Sequence, residues 1–368
     1  MIAGAASLAR RSEPIRTAEE PPIRLLIVDD SSVARAVLSR MLGPQPGLEV
    51  VASASCVADA LALLRATTVD IVLLDIEMPG SSGLDGLPAI IEAGRGARVL
   101  IVSSIAEHGA EAAVRALSLG ATDTMPKPGS GMFGGQFAQG LADRLRRIGC
   151  VGAIRRDGAA TPTGKLPLRE VANWQPACIA IGASTGGIHA INEFVGRLPT
   201  RTGVPIFLTQ HLPPLFMPYF ARQVALSSGR PTRVVADGDP VVADEIHVAP
   251  GTAHLTLVRR RGRVEVRLDT APAASGCLPS VDPMLAAVAE VYGRGGVGVV
   301  LSGMGRDGLI GSSRLVASGG VVLAQDQASS AIWGMPRAVA ETGLATVVAH
   351  PAELARRIAA QLGGGAWK

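Results

Sequence analysis

The chain has few aromatic residues, with 3 Trp, 2 Tyr and 6 Phe in 368 residues. Val, Leu, Ile and Ala must therefore fill its core, and such cores are typical of buried parallel β-sheets. No apolar run approaches the ~18 residues of a membrane-spanning helix, so we expect no membrane insertion. Arginines follow the N-terminal apolar stretch instead of preceding it, which is the wrong order for a secretory signal.

Cysteine and net charge are also low. The four cysteines are far apart and form no CxxC pair: Cys56, Cys150, Cys178 and Cys277. This spacing favours reduced thiols in a cytoplasmic protein and argues against a metal site built from cysteines. The net charge is only +4, and residues 129–176 carry seven Lys and Arg against three acids. The basic surplus therefore lies in a solvated linker, and we expect no nucleic-acid partner.

The length favours two domains of ordinary size. Residues 1–21 are polar and aperiodic, which indicates a flexible tail. Apolar runs of strand length alternate with helical periodicity over 22–148 and again over 177–364, while 149–176 has the composition of a linker. Alternation of this kind predicts an α/β fold with two doubly wound parallel-sheet domains. The helices predicted in the first domain are Ser32–Leu42, Val57–Arg65, Glu107–Leu119 and a short one near Phe137–Ile148.

Polar groups follow the strands of the first domain. Asp29 and Asp30 follow RLLIV, Asp75 follows DIVLL, Ser103 follows RVLIV, and Lys127 lies in a later loop. Strand ends of a parallel sheet meet at one edge, where clustered carboxylates suit a hard divalent cation such as Mg²⁺. With a lysine and a hydroxyl nearby, this arrangement suits the receipt of a phosphoryl group. The alternative is that each acid merely caps a helix or ends a strand.

A second site is predicted from Ser184, His211 and Asp307. GASTGG places Ser184 in a G-x-S-x-G turn between a strand and a helix. His211 and Asp307 follow two further strands, so nucleophile, base and orienting acid share one sheet edge. The order Ser, His, Asp differs from that of α/β-hydrolases and indicates a convergent triad on another doubly wound fold. The alternative is a nucleotide-binding turn, but neither G-x-G-x-x-G spacing nor a Walker lysine follows.

Residues 23–128 resemble a response-regulator receiver domain, with LLDIEMPG as the segment around its phosphoacceptor. The resemblance implies phosphorylation at Asp75 and Mg²⁺ binding by Asp29, Asp30, Asp75 and the Glu77 carbonyl. It also implies that Ser103 is the switch hydroxyl and that Lys127 occupies the position of the family's lysine. It also implies a histidine kinase as phosphodonor. Thr124 is a departure, because this position is often aromatic in the family.

Six motifs across 177–340 resemble, in order, those of the CheB protein-glutamate methylesterases: GASTGG, TQHLPP, APGTAHL, PSVDPML, SGMGRDG and AQDQASS. The resemblance implies a cytoplasmic enzyme that hydrolyses glutamyl methyl esters on chemoreceptors and releases methanol, with some members deamidating glutamine. It implies a chemotaxis-type kinase as partner and no cofactor for the esterase reaction. The backbone at Thr185 and Met304 is the predicted source of oxyanion donors. Cys277 and Leu278 replace a pair that is commonly polar or basic.

One further alternative concerns the whole chain. A receiver could control an effector domain that binds a partner and has lost catalysis. The presence of Ser184, His211 and Asp307 favours an enzyme over such an adaptor.

Overall fold

A computed structural model describes most of the chain. The described residues are 21–78, 82–103, 107–127, 135–156 and 166–362, with side chains described except at 103, 107, 108 and 150–156. Among these residues, no helix has both the length and the apolar character to cross a bilayer.

The first domain is a five-stranded parallel sheet in the order β2-β1-β3-β4-β5. Its strands are β1 Ile23–Val28, β2 Leu48–Ala54, β3 Ile71–Leu74, β4 Arg98–Ser103 and β5 Asp123–Pro126. Its helices are α1 Ser32–Leu42, α2 Val57–Ala66, α3 Gly83–Ala93, α4 Glu107–Ser118 and α5 Gly135–Arg156. Every residue of β3 is buried, as expected for a strand covered on both faces.

The second domain contains a seven-stranded parallel sheet in the order β14-β13-β12-β6-β7-β9-β8. Its strands are β6 Cys178–Ala183, β7 Ile206–Gln210, β8 Thr232–Val234, β9 Ile246–Val248, β12 Gly296–Val300, β13 Val321–Gln325 and β14 Val347–Ala349. Its helices are α6 Gly187–Val195, α7 Met217–Ser228, α8 Val281–Tyr292, α9 Leu309–Ala317, α10 Met335–Glu341 and α11 Pro351–Leu362, with 3₁₀ turns at Pro214–Phe216 and Gly293–Gly295.

An antiparallel hairpin, β10 His254–Arg260 and β11 Arg263–Asp269, extends the second domain. The sequence did not predict it, because its arginines interrupt the apolar alternation. Arg261 and Gly262 have φ of 48° and 80° at its tip. Two consecutive positive φ values are what a tight hairpin turn matching the strand twist requires.

The predicted α/β class with two doubly wound parallel sheets is confirmed. Helices α1, α2 and α4 lie where they were predicted, within one residue at each end. Helix α5 is longer than the predicted Phe137–Ile148 segment at both ends, because amphipathic spacing marked only its packed part. There Leu141, Leu145 and Ile148 are buried. The limits assigned to the two domains and the linker stay predictions.

Strand order decides which side chains can meet. In the second domain β6 lies between β12 and β7. Ser184, His211 and Asp307, which follow these three neighbouring strands, therefore lie at one edge of the sheet. In the first domain β3 lies between β1 and β4, so Asp29 and Asp75 follow adjacent strands.

Candidate active site

Ser184 lies in the turn between β6, which is fully buried, and helix α6. Gly186 in this turn has a φ of 73°, and a Cβ added there would lie 2.2 Å from the Cβ of Ala331. Only glycine fits both the backbone conformation and the space. The turn thus presents the serine at the N-terminal end of α6, where the helix dipole favours negative charge.

His211 joins Ser184 to Asp307. Its Nδ1 lies 3.1 Å from Ser184 Oγ, and its Nε2 lies 2.8 Å from Asp307 Oδ2. A carboxylate can only accept, so Nε2 carries a proton and donates it to Asp307. In the neutral ring Nδ1 is then the acceptor that faces the serine hydroxyl. The three side chains form a relay that can withdraw a proton from Ser184.

The relay shifts the pKa of both partners. Burial alone would lower the pKa of His211, but hydrogen bonds to Asp307 and Cys277 outweigh it and raise the pKa to about 9. Burial alone would raise the pKa of Asp307, but hydrogen bonds from His211 and the Val281 N–H outweigh it and lower the pKa to about 2. The site therefore stabilises a carboxylate beside a charged imidazole, which is the state that proton transfer from a serine creates.

Asp307 is held at the N-terminus of α8. Its Oδ1 accepts from Ser280 Oγ at 2.7 Å, Gly308 N at 3.0 Å and Asp282 N at 3.2 Å, and its Oδ2 accepts from Val281 N at 2.8 Å. These donors fix the carboxylate's orientation toward His211. Sequence reasoning missed Ser280, although its place directly before α8 in PSVDPML is a signal for a helix-capping position.

The carboxylates predicted in the first domain also meet. One oxygen from each of Asp29, Asp30 and Asp75 lies within 4.8 Å of the others. Lys127 Nζ lies 2.7 Å from Asp29 and 2.6 Å from Asp75. Burial alone would lower the pKa of Lys127, but these two carboxylates outweigh it and raise the pKa. An all-oxygen cluster of this size fits Mg²⁺ by its donor chemistry.

Comparison with known proteins identifies the family of each domain. The model of the CheB methylesterase family matches residues 179–358, and that of the response regulator receiver domain matches 25–131. A "protein-glutamate methylesterase/protein-glutamine glutaminase 1" of Paramagnetospirillum magneticum is 37% identical over 362 residues, covering 90% of this chain and 94% of its own. The chain belongs to the CheB methylesterase family.

Two further matches are of the same kind. The group 2 operon protein-glutamate methylesterase/protein-glutamine glutaminase of Bradyrhizobium diazoefficiens is 35% identical, covering 90% of this chain and 91% of its own. The crystal structure of the Thermotoga maritima CheB methylesterase catalytic domain is 31% identical, with a TM-score of 0.49, covering 50% of this chain and 98% of that one. The resemblance predicted from the motifs is confirmed.

In this CheB chain the receiver packs against the turn that carries Ser184. The Gly186 N–H donates to the Thr122 carbonyl at 2.9 Å. Thr185 Oγ1 donates to Asp123 Oδ2 at 3.3 Å, and Arg144 Nε donates to the same oxygen at 2.9 Å. Receiver residues thus form one wall of the cleft that contains Ser184.

The interface continues to both sides of this cleft. Met304 and buried Ile332 of the second domain pack against the receiver's hydrophobic core. The Arg147 guanidinium also reaches Met304 Sδ, at 3.7 Å. On the opposite flank Arg222 forms an exposed ion pair with Glu111 at 3.2 Å. The interface therefore combines an apolar part with an exposed ion pair.

The remaining predicted residues are placed as follows. Thr185 lines the cleft and Met304 follows Gly303 near the Ser184 turn, and within the described residues neither backbone N–H has a hydrogen-bond partner. The Glu77 N–H donates to Asp75 Oδ1 at 3.0 Å, which sets the Glu77 backbone beside the phosphoacceptor candidate. Ser103 ends β4, and its side chain lies outside the described residues.

His254, in the APGTAHL motif, is a buried structural residue. Its Nδ1 accepts from Ser280 N at 2.9 Å, and its Nε2 lies 2.9 Å from the Ala271 carbonyl. Both ring nitrogens are therefore used. His254 holds the two ends of the loop that runs from β11 to α8.

Proposed function

We propose that this chain is a phosphorylation-controlled protein-glutamate methylesterase that also deamidates protein glutamine. The observation that carries the proposal is the hydrogen-bonded relay of Ser184, His211 and Asp307 in a member of the CheB family. The substrates are glutamyl methyl esters on the helices of chemoreceptors. The names of the relatives support the hydrolysis of glutamate methyl esters. The products are glutamate and methanol.

The chemistry follows from the relay. Ser184 Oγ attacks the ester carbonyl while His211 Nδ1 takes its proton, and Asp307 stabilises the resulting imidazolium. His211 then gives the proton to the departing methoxide, which leaves as methanol. Water hydrolyses the acyl-enzyme by the same proton transfers in reverse. A glutamine side chain would react alike, with ammonia as the leaving group.

The free N–H groups of Thr185 and Met304 support a role as oxyanion donors. Thr185 adjoins Ser184 in the chain, Met304 follows Gly303, which lies against Ser184, and unpartnered backbone N–H groups are the usual way to stabilise the developing oxyanion. Removing one such donor typically costs about 10²–10³ in kcat. Since these donors are backbone groups, no side-chain substitution removes them directly.

Asp75 is the proposed phosphoacceptor and Lys127 its cationic partner. Asp29, Asp30, Asp75 and the Glu77 carbonyl would hold Mg²⁺, which neutralises charge on the phosphoryl oxygens. Ser103 supplies the switch hydroxyl. The proposed phosphodonor is a chemotaxis-type histidine kinase, and the esterase reaction itself uses the chain's own side chains.

Control is proposed to act through the interface. In the described arrangement the Thr122 carbonyl and the Asp123 carboxylate lie against the turn that carries Ser184. A receptor helix needs that space. Phosphorylation at Asp75 would shift the equilibrium between the domains toward an arrangement in which the receiver has moved aside. Residues 149–176 are the proposed linker that allows this movement.

A fluorophosphonate probe tests the proposed chemistry. We expect it to phosphonylate one serine, Ser184, with loss of fluoride, and to label the phosphorylated chain faster than the unphosphorylated one. The measurement is mass spectrometry of labelled peptides, together with methanol release from methylated receptor. No labelling in either state would favour the adaptor interpretation, and labelling at another serine would place the nucleophile elsewhere.

Asp75→Asn tests the phosphoacceptor. We expect no phosphoryl incorporation from a small-molecule phosphodonor and no stimulation of methanol release, because amide nitrogen cannot accept the group. Asp59→Asn is the matched control, since this exposed carboxylate lies in the same domain. Phosphoryl incorporation in Asp75→Asn equal to that of the control would place the acceptor elsewhere.

The ion pair between Glu111 and Arg222 tests the interface. Glu111→Arg sets two cations against each other, so the closed arrangement should weaken and basal hydrolysis should rise. Exposed pairs contribute about 0.2–1 kcal/mol, which predicts an increase of roughly 1.4- to fivefold. The exchange Glu111→Arg with Arg222→Glu restores the attraction and should restore the low basal rate. If the double variant is as fast as the single one, this contact does not hold the domains together.

A further inference from the structure

Cys277 lies beside the relay, although its position in the chain gave no indication of it. One ligand atom from each of Cys277, His211 and Asp307 lies within 4.8 Å of the other two. The sequence predicted isolated thiols and no metal site formed by cysteines. The fold brings this thiol to a histidine and a carboxylate.

The cluster has the donor chemistry of a zinc site. Thiolate sulfur, imidazole nitrogen and carboxylate oxygen are the ligands that Zn²⁺ takes in proteins, with a solvent molecule often in the fourth position. At zinc bond lengths of about 2.0–2.3 Å the donors of a tetrahedral site lie roughly 3.3–3.8 Å apart. The His211 and Asp307 atoms, now 2.8 Å apart, would need to separate by less than about 1 Å.

The surroundings hold the three donors together. A hydrogen-bonded chain runs from Cys277 N to Ser275 Oγ at 3.3 Å, on to Ser280 Oγ at 3.1 Å, and then to Asp307 Oδ1 at 2.7 Å. The loop that carries the thiol is thus tied to the carboxylate. Partners of this kind orient metal ligands and contribute strongly to metal affinity.

The thiol side of the relay is also open. Residues around Cys277 in the loop between β11 and α8 are mostly exposed, and Leu278 is 48% exposed. The receiver covers the other side, around Ser184 and Thr185. An ion can therefore approach from the loop without displacing the receiver.

We propose that His211, Cys277 and Asp307 form an inhibitory binding site for Zn²⁺. Because the ion is also bound by Asp307, it binds the His211 ring nitrogen that faces Asp307, which is Nε2. Binding displaces the Nε2 proton and the thiol proton. A neutral ring ligated at Nε2 must carry its proton at Nδ1, which then donates toward Ser184 and cannot accept its proton. Zinc therefore stops hydrolysis reversibly, and a chelator restores it.

The hydrolysis readout of this inference rests on the proposed function. The test uses the full-length, phosphodonor-activated chain with excess Mg²⁺ to fill the receiver carboxylates. Zn²⁺ should inhibit methanol release, and the apparent inhibition constant should rise at least about tenfold in Cys277→Ser, since even outer partners of a metal ligand matter that much. Each variant's zinc-free rate is its own reference. Cys56→Ser, which removes a partly exposed thiol of the receiver, should behave as the parent.

A second readout does not depend on catalysis. Co²⁺ in place of Zn²⁺ should give a thiolate-to-metal charge-transfer absorption in the parent and in Cys56→Ser but not in Cys277→Ser, and binding should release protons. Equal zinc inhibition in all three proteins, or a charge-transfer band that survives in Cys277→Ser, would overturn the zinc site. A chain that binds Co²⁺ through Cys277 but hydrolyses no ester would instead count against the proposed function alone.

Discussion

Ser184→Ala should lower the rate of methyl ester hydrolysis by about 10⁶-fold, the order found when the serine of a serine–histidine–aspartate triad is removed. The nucleophile is lost, while the fold should be kept. The described hydrogen bond of Ser184 Oγ is the one to His211, and alanine fits the same backbone. Fluorophosphonate labelling should also disappear. Phosphoryl incorporation at Asp75 should be unchanged, because the receiver's carboxylate cluster does not contact Ser184.

Two further variants make this result specific. Combining Ser184→Ala with His211→Ala should cost little more than either change alone, because members of a relay act as a unit. Ser312→Ala is the matched control, since Ser312 is buried on α9 and its Oγ has no hydrogen-bond partner within the described residues. Its rate should stay near that of the parent. Residual hydrolysis by Ser184→Ala within tenfold of the parent would mean that another group attacks the ester.

Most of the fold could be predicted from the sequence, because buried parallel strands are uniformly apolar and their helices are amphipathic. β3 and β6 show this directly, since every residue of each is buried. The β10–β11 hairpin could not be predicted this way. It packs only one side of each strand, and its exposed positions carry arginines.

The residues of the site also fall into those that the sequence could predict and those that it could not. Ser184, His211 and Asp307 could be predicted because the first two directly follow strands, the third lies in the loop after another strand, and strand ends of one sheet meet. Ser280 and Cys277 lie in a loop whose path depends on tertiary contacts, chiefly His254 and Asp307. The contact of Asp123 with Thr185 joins two domains, and no local pattern encodes how two surfaces meet. Such residues become visible only in three dimensions.

Asp307→Asn should lower kcat by about 10⁴-fold, as the equivalent change does in a serine protease. An amide at this position can present its NH₂ group to His211 Nε2. The ring must then accept at Nε2 and carry its proton at Nδ1, the nitrogen that faces Ser184. Such a ring cannot take the serine proton. The fall in kcat is therefore caused by the wrong tautomer of His211. The measurement is kcat for methanol release.

The pH dependence distinguishes this cause from simple misfolding. His211 works as a base only when neutral, and its pKa is raised from the ordinary 6.5 to about 9. In the parent, kcat/KM should therefore rise as pH increases from 7 toward 9 and fall as pH decreases. Asp307 contributes strongly to the raised pKa of His211. When the Asp307 charge is removed, the effect of burial, which lowers the pKa of His211, is opposed less. In Asp307→Asn the rising limb of the kcat/KM profile should therefore lie at lower pH than in the parent. The plateau value of kcat/KM should be far below the parent's.

Asp282→Asn provides the matched control for both effects. Asp282 is a buried carboxylate at the same end of α8, its Oδ1 accepts from Gly311 N at 2.7 Å, and its pKa is raised to about 6, chiefly by burial. Each of the two variants replaces a carboxylate oxygen by an NH₂ group, and the two positions are neighbours. Only Asp307 is hydrogen-bonded to His211. Asp282→Asn should keep kcat within about tenfold of the parent, ~1.4 kcal/mol of barrier, and should keep the rising limb where it is. If both variants lose activity equally and the limb of Asp307→Asn does not move, the carboxylate acts only by holding the turn in place, and His211 is oriented by another group.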